Sequence, residues 1–229
     1  MTTLTVLSYN VRSLRDDPSA VARVMRAAAA DVAIVQEAPR LLRWRSKCAA
    51  LARRAGMVQV VGGRAAGANL LLSSLAVDVL ARKDVSLRAE RNRHRRGVAV
   101  AVLRKAGSRF AVAGTHLELV EQNRLRHLDE LSGVLAGFVP ADVPLIVGGD
   151  LNAVPGSATW QALGRFGRDS FAEVGAGEGF TYSSVAPVRR IDALFADPRL
   201  TPVRAEVIES ADVRVASDHR PLVVEFDLA

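Results

Sequence analysis

Short apolar runs separated by turns recur along the whole chain, and this pattern limits the folds open to it. Most runs have the length of a strand and many are rich in β-branched residues. Helical signals are concentrated in residues 18–54 and 121–163. Because strands outnumber helices and many join through short turns, we predict an α/β architecture of two mixed β-sheets packed face to face with helices outside. The predicted strands span residues 3–8, 32–35, 57–61, 70–73, 77–81, 98–103, 109–115, 145–147, 191–195, 203–208 and 222–228.

The helices are predicted from their ends and from their apolar spacing. Asp17 is a suitable N-cap, and Pro18 fits the first position of a helix over residues 18–30. A basic helix over 41–54 is followed closely by a glycine, and helical spacing of leucines predicts a helix over 121–138. The remaining predictions are a short helix at 157–163, loops at 88–97 and 166–187 with at most one strand near 180–182, and a turn at 217–221.

Length and composition fit one domain over residues 1–229, with 49% hydrophobic and 24% charged residues. Cys48 is the only cysteine and cannot form an internal disulfide. We find no secretory leader pattern before the first strand, and no run approaches the roughly 18 apolar residues of a membrane span. We therefore expect a soluble, cytoplasmic protein with no membrane span, and nothing in the sequence indicates an obligate protein partner.

The chain is strongly basic, with a formal net charge of +7. Lys47, Lys83 and Lys105 are the only lysines among 31 basic residues, so arginine dominates. Arginine can bind phosphate through two parallel hydrogen bonds, and a basic surface favours polyanionic partners. A general preference of the genome for arginine would give the same composition, so charge alone leaves both interpretations open.

Asp150 and Asn152 follow the apolar run at residues 145–147 and two glycines. In an extended chain, residues two apart point to the same side, so a carboxylate and an amide would project together from the end of a strand. Such a pair can hold an attacking water and bind a phosphate oxygen or a metal. Both residue types also favour turns, so a plain turn is the alternative.

Polar residues of catalytic type follow several other apolar runs as well. Their recurrence at six strand ends indicates one rim of a sheet sandwich, where a rigid scaffold positions functional loops. The set has carboxylates, amides and two histidines but no cysteine, which suits Mg²⁺ or Mn²⁺ rather than structural Zn²⁺. Its members are Asn10, Glu37, His116, Asp150, Asn152, Asp192, Asp218 and His219.

Six segments resemble, in the same order, the motif series of the endonuclease/exonuclease/phosphatase superfamily, and together they span nearly the whole chain. The Gly-Asp-Leu-Asn and Ser-Asp-His-Arg-Pro-Leu runs are the most specific. The resemblance implies a DNase I-like, four-layer α/β/β/α sandwich and metal-assisted hydrolysis of phosphoesters. The six segments are residues 8–11, 35–37, 114–117, 148–152, 190–192 and 217–222, and residues 69–73 resemble a weaker one.

The resemblance also implies a metal site. Glu37 would bind Mg²⁺ or Mn²⁺, with Asn10 and Asp218 close to it, and the cation would polarise a phosphoryl oxygen. The alternatives are that Asn10 is only a turn former and that Glu37 caps the next helix.

The catalytic roles follow from the same resemblance. Asp150 would orient or deprotonate the attacking water, and Asn152 would bind the phosphate or support the water. His219 would contact the scissile phosphate while Asp192 fixes its tautomer and orientation. His116 would contact the phosphate from the other side.

Basic residues are predicted to bind substrate phosphates. The loop 88–96 could form a phosphate track beside the site, with a solvated arginine run as the alternative. It has no aromatic residue for stacking bases, which favours contact with a duplex backbone or a small phosphorylated substrate. Asp192 could instead form a surface ion pair with one of the two arginines before it. The predicted phosphate ligands are Arg93, Arg95, Arg96 and Arg190.

His116 stands where the DNase I, sphingomyelinase and inositol-phosphatase branches carry a histidine, whereas the abasic-site repair branch carries an asparagine. Tyr9 and Tyr182 are the only tyrosines, and neither lies in the context of that branch's catalytic tyrosine. The DNase I branch supports its histidine with a carboxylate, and no acidic residue lies near residues 67–69. Two further histidines are predicted to be solvated surface residues, His94 and His127.

We therefore predict a divalent-metal-dependent phosphoester hydrolase, namely a nuclease that cleaves DNA with little sequence preference. The alternative is a phosphatase or phosphodiesterase acting on a small or lipid-derived phosphoester. A non-catalytic binding module is disfavoured, because every motif position keeps its functional group. The salt dependence of substrate binding distinguishes the nuclease from the small-phosphoester hydrolase. Binding through several backbone phosphates weakens steeply as salt increases.

Overall fold

The computed structural model describes residues 2–89 and 94–228, and twelve strands within this part of the chain form two sheets. The first sheet contains β1 (Thr2–Asn10), β2 (Val32–Gln36), β3 (Val58–Gly63), β4 (Asn69–Ser73), β11 (Thr201–Val207) and β12 (Leu222–Leu228), in the order β11-β12-β1-β2-β4-β3. The second contains β5 (Asp78–Ser86), β6 (Gly97–Lys105), β7 (Ser108–His116), β8 (Leu145–Asp150), β9 (Arg168–Asp169) and β10 (Asp192–Ala196), in the order β5-β6-β7-β8-β10-β9.

Both sheets are mixed, as predicted. The pairs β1–β2 and β7–β8 are parallel, and the other strand pairs are antiparallel. Six α-helices accompany them in the described ranges, and none of these is long and apolar enough to cross a membrane. The helices are α1 (Pro18–Ala27), α2 (Trp44–Ala55), α3 (Glu121–Ala136), α4 (Ala158–Leu163), α5 (Ser170–Val174) and α6 (Ala211–Ala216).

The apolar side chains divide into layers that match this arrangement. One buried cluster lies between the two sheets and includes Ile34 and Val112. A second joins the first sheet to α1, α2 and α6, through residues such as Met25 and Val213. A third joins the second sheet to α3 and α4, for example through Leu131. The predicted four-layer α/β/β/α sandwich is therefore confirmed.

Local signals explain where several elements begin and end. Asp17 caps α1, because its Oδ1 atom accepts hydrogen bonds from the amides of Ser19 and Ala20. Pro18 occupies the first helical position, where a missing N–H is harmless. Gly56 ends α2 with a φ of 76°, in the left-handed region.

The predicted start of α2 is wrong, and two short helices were missed. The helix α2 begins at Trp44 rather than at residue 41, because Arg43 has a φ of 58° and interrupts a helical start. The helices α5 and α6 were not predicted, since one or two turns carry no readable periodicity. No regular strand covers residues 180–182 in the described chain, where Tyr182 makes only isolated bridges to Arg189 and His219.

His127 is buried rather than solvated, with 1% of its surface exposed. It lies on the face of α3 that packs on the second sheet, next to Leu128 and Leu131. Its Nε2 atom lies 3.3 Å from the carbonyl oxygen of Arg88. A polar residue among regularly spaced leucines is usually exposed. Here the buried ring of His127 contacts the backbone at Arg88, where the loop before β6 begins. His94 is exposed, as predicted.

Gly114 is needed where the two sheets touch. A Cβ atom at this position would lie 2.4 Å from Ile34 Cγ2 on β2 of the facing sheet. Such a contact is too short for two carbon atoms, so any larger residue would push the sheets apart. The close approach in turn brings the ends of β2 and β7 together.

We expect Gly114→Ala to lower the free energy of unfolding by about 1–3 kcal/mol, because the added methyl overpacks the contact between the sheets. Gly133→Ala is the matched control, since Gly133 is exposed on α3 with open space around its Cα. It should raise stability by about 0.5–1 kcal/mol through helix propensity. Urea unfolding of both variants measures this, and equal stabilities would contradict it.

Candidate active site

The strand ends carrying polar residues meet at one edge of the sandwich. Asn10 and Gln36 are register partners at the ends of β1 and β2, and His116 and Asp150 are partners at the ends of β7 and β8. Asn10 Nδ2 donates a hydrogen bond to Asp150 Oδ2 at 2.9 Å, so the ends of both sheets are joined here. Residues far apart in sequence therefore form one cluster.

The carboxylate of Asp150 lies at the centre of this cluster, with 2% of the residue exposed. Its Oδ2 atom is 2.9 Å from Asn10 Nδ2, 3.3 Å from His116 Nε2 and 3.6 Å from His219 Nε2. Its Oδ1 atom accepts a hydrogen bond from the backbone amide of Asn152 at 3.1 Å. The two amide donors, Asn10 Nδ2 and the backbone N–H of Asn152, offset part of the penalty of burying a charged group.

Asn152 reaches the cluster through a turn, so the expectation of an extended chain is wrong. Its φ is 47°, in the left-handed region that asparagine tolerates, and the side chain of Asp150 closes the turn. Its Nδ2 atom donates to the carbonyl of Leu117 and faces His116 Nε2, both at 3.0 Å. Asn152 is both a turn former and a member of the cluster.

His219 and Asp192 form a buried pair. The distance between His219 Nδ1 and Asp192 Oδ2 is 2.9 Å, and Asp192 is 1% exposed, so it makes no surface ion pair with the neighbouring arginines. Burial acts to lower the pKa of His219, but the charges of Asp192 and Asp150 outweigh it and raise the pKa to about 10. The imidazole is therefore held protonated, with Nε2 directed toward Asp150.

His116 has the opposite electrostatic character. Burial lowers its pKa to about 3, although the charge of Asp150 acts against this. Because Leu117 O can only accept, the Asn152 nitrogen next to it is a donor, and its second hydrogen points to His116 Nε2. His116 is therefore neutral, with its own proton on Nδ1. Asn152 therefore supports the His116 imidazole through Nε2. Residues 67–69 contain no carboxylate that could take this role.

Glu37 and Asp218 are half-buried carboxylates facing the same cavity as Asp150. Asn10 Nδ2 lies 3.3 Å from Glu37 Oε1, so Asn10 bridges Glu37 and Asp150. Within the described chain, Glu37 Oε2 makes no hydrogen bond. Arg12 Nε lies 3.4 Å from Asp218 Oδ2. This set of oxygen atoms, one of them unused, fits a hard divalent cation such as Mg²⁺.

A second group could also hold a metal ion. One ligand atom each from Asp150, Asp192 and His219 lies within 4.8 Å of the others. The short contact between His219 Nδ1 and Asp192 Oδ2 is a hydrogen bond, which a cation bound to those two atoms would replace. The hydrogen-bonded pair therefore favours a cation near Glu37 over one in this group.

An open cavity of about 360 Å³ has walls that carry Arg15, Arg40, Arg96 and Arg189. It is also lined by Glu37, His116, Asp150, Asn152, Asp218 and His219. Arg96 is 6% exposed, and its Nη2 atom lies 3.9 Å from Glu118 Oε1. Burial lowers its pKa, against the charges of nearby carboxylates. Its Nε atom has no hydrogen-bond partner among the described residues. An unused buried donor of this kind suits a phosphate oxygen.

Two of the other predicted phosphate ligands, Arg95 and Arg190, do not line this cavity. The assignment of Arg190 needs correction, because its Nη1 atom forms an ion pair with Asp169 Oδ2 at 2.8 Å and its guanidinium lies over the Trp160 ring. It does not line the cavity. Arg95 is exposed and lines a neighbouring groove. Arg93 lies outside the described residues.

Tyr182 lines the cavity, although no motif in the sequence places it there. Its ring centroid is 5.0 Å from that of His219, and the guanidinium of Arg189 lies 4.8 Å from the centroid of the tyrosine ring. Tyr182 reaches this position through non-local backbone bridges, which leave no pattern in a glycine-rich sequence. It fixes one face of the His219 imidazole.

A buried carboxylate between two histidines, beside further carboxylates and arginines, defines a hydrolytic centre suited to phosphoesters. A model of the Endonuclease/Exonuclease/phosphatase family matches residues 7–219 and so includes every member of the cluster. The chain therefore belongs to the endonuclease/exonuclease/phosphatase family of phosphoester hydrolases, as the sequence motifs predicted. Its sequence matches no curated protein at a significant level.

Solved structures share the fold over nearly the full length at low identity. The mannosyl-6-phosphatase of Bacteroides thetaiotaomicron is 17% identical, with a TM-score of 0.82 and coverage of 98% of this chain and 99% of its own. TDP2 of D. rerio, complexed with single strand DNA product, is 19% identical, with a TM-score of 0.78 and coverage of 99% and 100%. The human nocturnin catalytic domain is 17% identical, with a TM-score of 0.76 and coverage of 99% and 95%.

We expect the two histidines beside Asp150 to differ in charge at neutral pH. In chelator-treated protein, His219 should remain an imidazolium until the pH approaches its pKa of about 10, whereas His116 should stay neutral down to about pH 3. Long-range ¹H–¹⁵N spectra of the imidazole nitrogens measure this directly. Asp192→Asn should lower the pKa of His219, because it removes the largest favourable charge. Asp197→Asn is the matched control and should leave it unchanged. Two neutral imidazoles at pH 6 would contradict the assignment.

Proposed function

We propose that this protein is a divalent-metal-dependent phosphodiesterase that cleaves nucleic acid, DNA in the first instance, with little sequence preference. One observation carries the proposal: the buried carboxylate of Asp150 lies between two histidines in a cavity walled by arginines. A phosphodiester needs an activated water on one side and positive charge around its oxygens, and this cavity can supply both.

Asp150 accepts a hydrogen bond from the attacking water and takes up its proton as the water oxygen bonds to phosphorus. The P–O bond to the leaving oxygen breaks, and that oxygen takes a proton from solvent. Both carboxylate oxygens are held, one by the amide of Asn152 and the other by the side chain of Asn10, so the group keeps one orientation. His116 is neutral and carries no proton on the nitrogen near Asp150, so it leaves that carboxylate free to act as a base. Held by Asn152 through Nε2, His116 has no proton at that nitrogen to give to the leaving group.

His219 carries the positive charge at the reacting phosphate. Its Nε2 proton can donate to a phosphoryl oxygen, while Asp192 holds Nδ1 and Tyr182 covers one ring face. Arg96 lines the same cavity, and its guanidinium adds a second donor for a phosphoryl oxygen. Charge that develops on the phosphoryl oxygens is stabilised most strongly by donors fixed in advance, as these are.

Glu37 would hold a divalent cation, with Asp218 and Asn10 beside it. When bound, such a cation supplies Lewis-acid activation of a phosphoryl oxygen. Asn10 donates to both Glu37 and Asp150, and it therefore sets the distance between the metal-binding and water-binding carboxylates. Arg12, close to Asp218, balances part of the negative charge of the carboxylates.

A nucleic acid substrate is supported by the surplus of arginine around the cavity and by the basic charge of the chain. The similar TDP2 of D. rerio is complexed with a single strand DNA product, which is consistent with such a substrate. The second candidate is a phosphatase of a small phosphoester. It is favoured by the equally close similarity to a mannosyl-6-phosphatase and by the limited cavity volume of about 360 Å³.

We expect the purified protein to convert supercoiled plasmid to nicked circles with Mg²⁺ or Mn²⁺ and to lose this activity in chelator. His219→Ala should slow the reaction by about 10²–10⁴-fold, because it removes the charged donor at the phosphate. Arg204→Ala, on the far edge of the first sheet, is the control purified in parallel and should keep full activity.

Nicking that survives unchanged in His219→Ala would point to contamination or to a misplaced site. No nicking by the wild type, combined with metal-dependent release of phosphate from small phosphorylated sugars or nucleotides, would replace the first candidate by the second.

We expect Glu37→Gln to raise the Mg²⁺ concentration for half-maximal activity by at least about tenfold, since even groups that only support a metal ligand have effects of this size. The amide keeps the shape of the side chain but removes its charge. Titration of activity against Mg²⁺ measures the effect, with Glu206→Gln as the control on a distant exposed strand. An unchanged Mg²⁺ dependence would exclude Glu37 as the principal ligand.

A further inference from the structure

A second depression lies next to the catalytic cavity and contains none of the catalytic groups. It has a volume of about 530 Å³ and is lined by Trp44, Arg45, Arg64, Ala65, Asp84, Ser86 and Arg95. We refer to it as the arginine groove. It lies where the edge strands of the two sheets, β3 and β5, come together, and Arg82 Nη1 on β5 donates to Val60 O on β3 at 2.7 Å.

The arginine groove and the catalytic cavity share a wall. The turn at 64–67 packs directly on the backbone at 95–97, and a Cβ atom on Gly67 would lie 2.6 Å from the carbonyl carbon of Arg96. Each segment contributes to both depressions. Arg64 and Arg95 line the groove, whereas Gly67 and Arg96 line the cavity.

A contact on the cavity side reinforces this wall. Arg40 Nη2 lies 2.9 Å from His94 Nδ1, and both residues line the cavity. Each is close in sequence to a groove residue, since Trp44 and Arg45 open the helix that follows Arg40, and Arg95 follows His94. The same chain segments therefore carry basic residues of the catalytic cavity and of the arginine groove. The basic surface extends from one depression into the other.

The three groove arginines form no ion pair within the described part of the protein, and Asp84 is the one carboxylate among the described residues that line the groove. Arg45, Arg64 and Arg95 are exposed, and none has a carboxylate within 4.0 Å among residues 2–89 and 94–228. Several exposed arginines on remote surfaces are paired instead. Such pairs join Arg104 to Asp78, Arg109 to Asp142, Arg165 to Asp129, Arg199 to Asp197, Arg204 to Glu206 and Arg214 to Glu209. The groove thus brings three unpaired cations together beside the site.

The one aromatic ring among the described residues of the groove is already covered. The guanidinium of Arg45 lies 4.5 Å from the centroid of Trp44, and Gly63 packs so closely that a Cβ there would lie 2.4 Å from Trp44 Cζ3. With Arg45 over the ring and Gly63 packed closely against it, Trp44 offers little free surface for stacking a base, and this favours recognition of phosphates. This agrees with cleavage of low sequence preference.

We infer that the arginine groove binds the phosphodiester backbone of a polynucleotide strand as it leaves the catalytic cavity. Arg45, Arg64 and Arg95 contact consecutive or nearby phosphates away from the scissile one, and they confer preference for long substrates over small phosphoesters. The inference rests on the proposed function and extends it, because it gives the strand a direction across the protein, over the edges of β3 and β5. The energy of these contacts comes mainly from release of counterions from the backbone.

The test compares two triple variants of the full chain with equal changes of charge. The first is Arg45→Gln, Arg64→Gln and Arg95→Gln. The second, as control, is Arg104→Gln, Arg109→Gln and Arg204→Gln, at exposed remote positions. Binding of a fluorescein-labelled oligonucleotide is measured by anisotropy in chelator over a range of salt, with arms for single-stranded DNA, duplex DNA and RNA. Turnover of the same oligonucleotides and of bis(p-nitrophenyl) phosphate is measured with Mg²⁺.

In the groove variant, oligonucleotide affinity should fall by about tenfold or more, and the slope of log K against log salt should decrease by about 2–3, one step for each lost phosphate contact. Turnover of bis(p-nitrophenyl) phosphate should not change, because that ester does not reach the groove. The control variant should lose little. The preferred polynucleotide is the one whose affinity differs most between the two triple variants.

Equal affinity and equal salt slope in the two triple variants would overturn the inference, and the groove arginines would then serve only to keep the edge strands apart from other proteins. Loss of bis(p-nitrophenyl) phosphate turnover in the groove variant would also count against it, since that would indicate damage to the site. Absence of oligonucleotide cleavage by the wild type, with a clear difference in binding between the variants, would refute the proposed nuclease while supporting the groove.

Discussion

The hydrogen bond between Asn10 and Asp150 is the interaction on which the site depends. It joins the end of β1 in one sheet to the end of β8 in the other, across 140 positions of sequence. A buried carboxylate without such a donor would be strongly disfavoured, so the sheets must pack in the register that brings these two ends together. The contact at Gly114, which permits the close approach of the sheets, thus affects the geometry of the site as well as the stability of the fold.

Much of the fold could be predicted because its signals are local. Apolar runs, the Asp17 cap and the glycine after α2 each depend on neighbouring residues, and they identify the main strands and helices. The strand order could not be derived from such signals, since β1 lies between β2 and the last strand, β12. The short helices α5 and α6 escape prediction because their caps, Asp169 and Ser210, are residue types common in loops.

The residues of the site could be predicted better than their roles. Motifs indicate which residues stand at a strand end, but they do not give side-chain direction, so Arg190 was assigned to phosphate although it faces Asp169. Motifs also do not reveal the electrostatic environment of the two histidines. Burial leaves His116 neutral and the charge of Asp192 keeps His219 protonated, a difference that no spacing of residues reveals. Tyr182 joins the site only through the tertiary fold.

The late segments of the sequence complete the early ones. Ser217 Oγ donates to the carbonyl of Asn10 at 2.7 Å, and β12 pairs along most of β1, so β1 lacks a neighbour on that side until residues 217–228 are available. Contacts of such long separation are slow to form in folding. During synthesis on the ribosome, Asp218 and His219 emerge after every other residue of the site. The nascent chain would therefore have no complete catalytic centre while its earlier segments already lie close to ribosomal RNA.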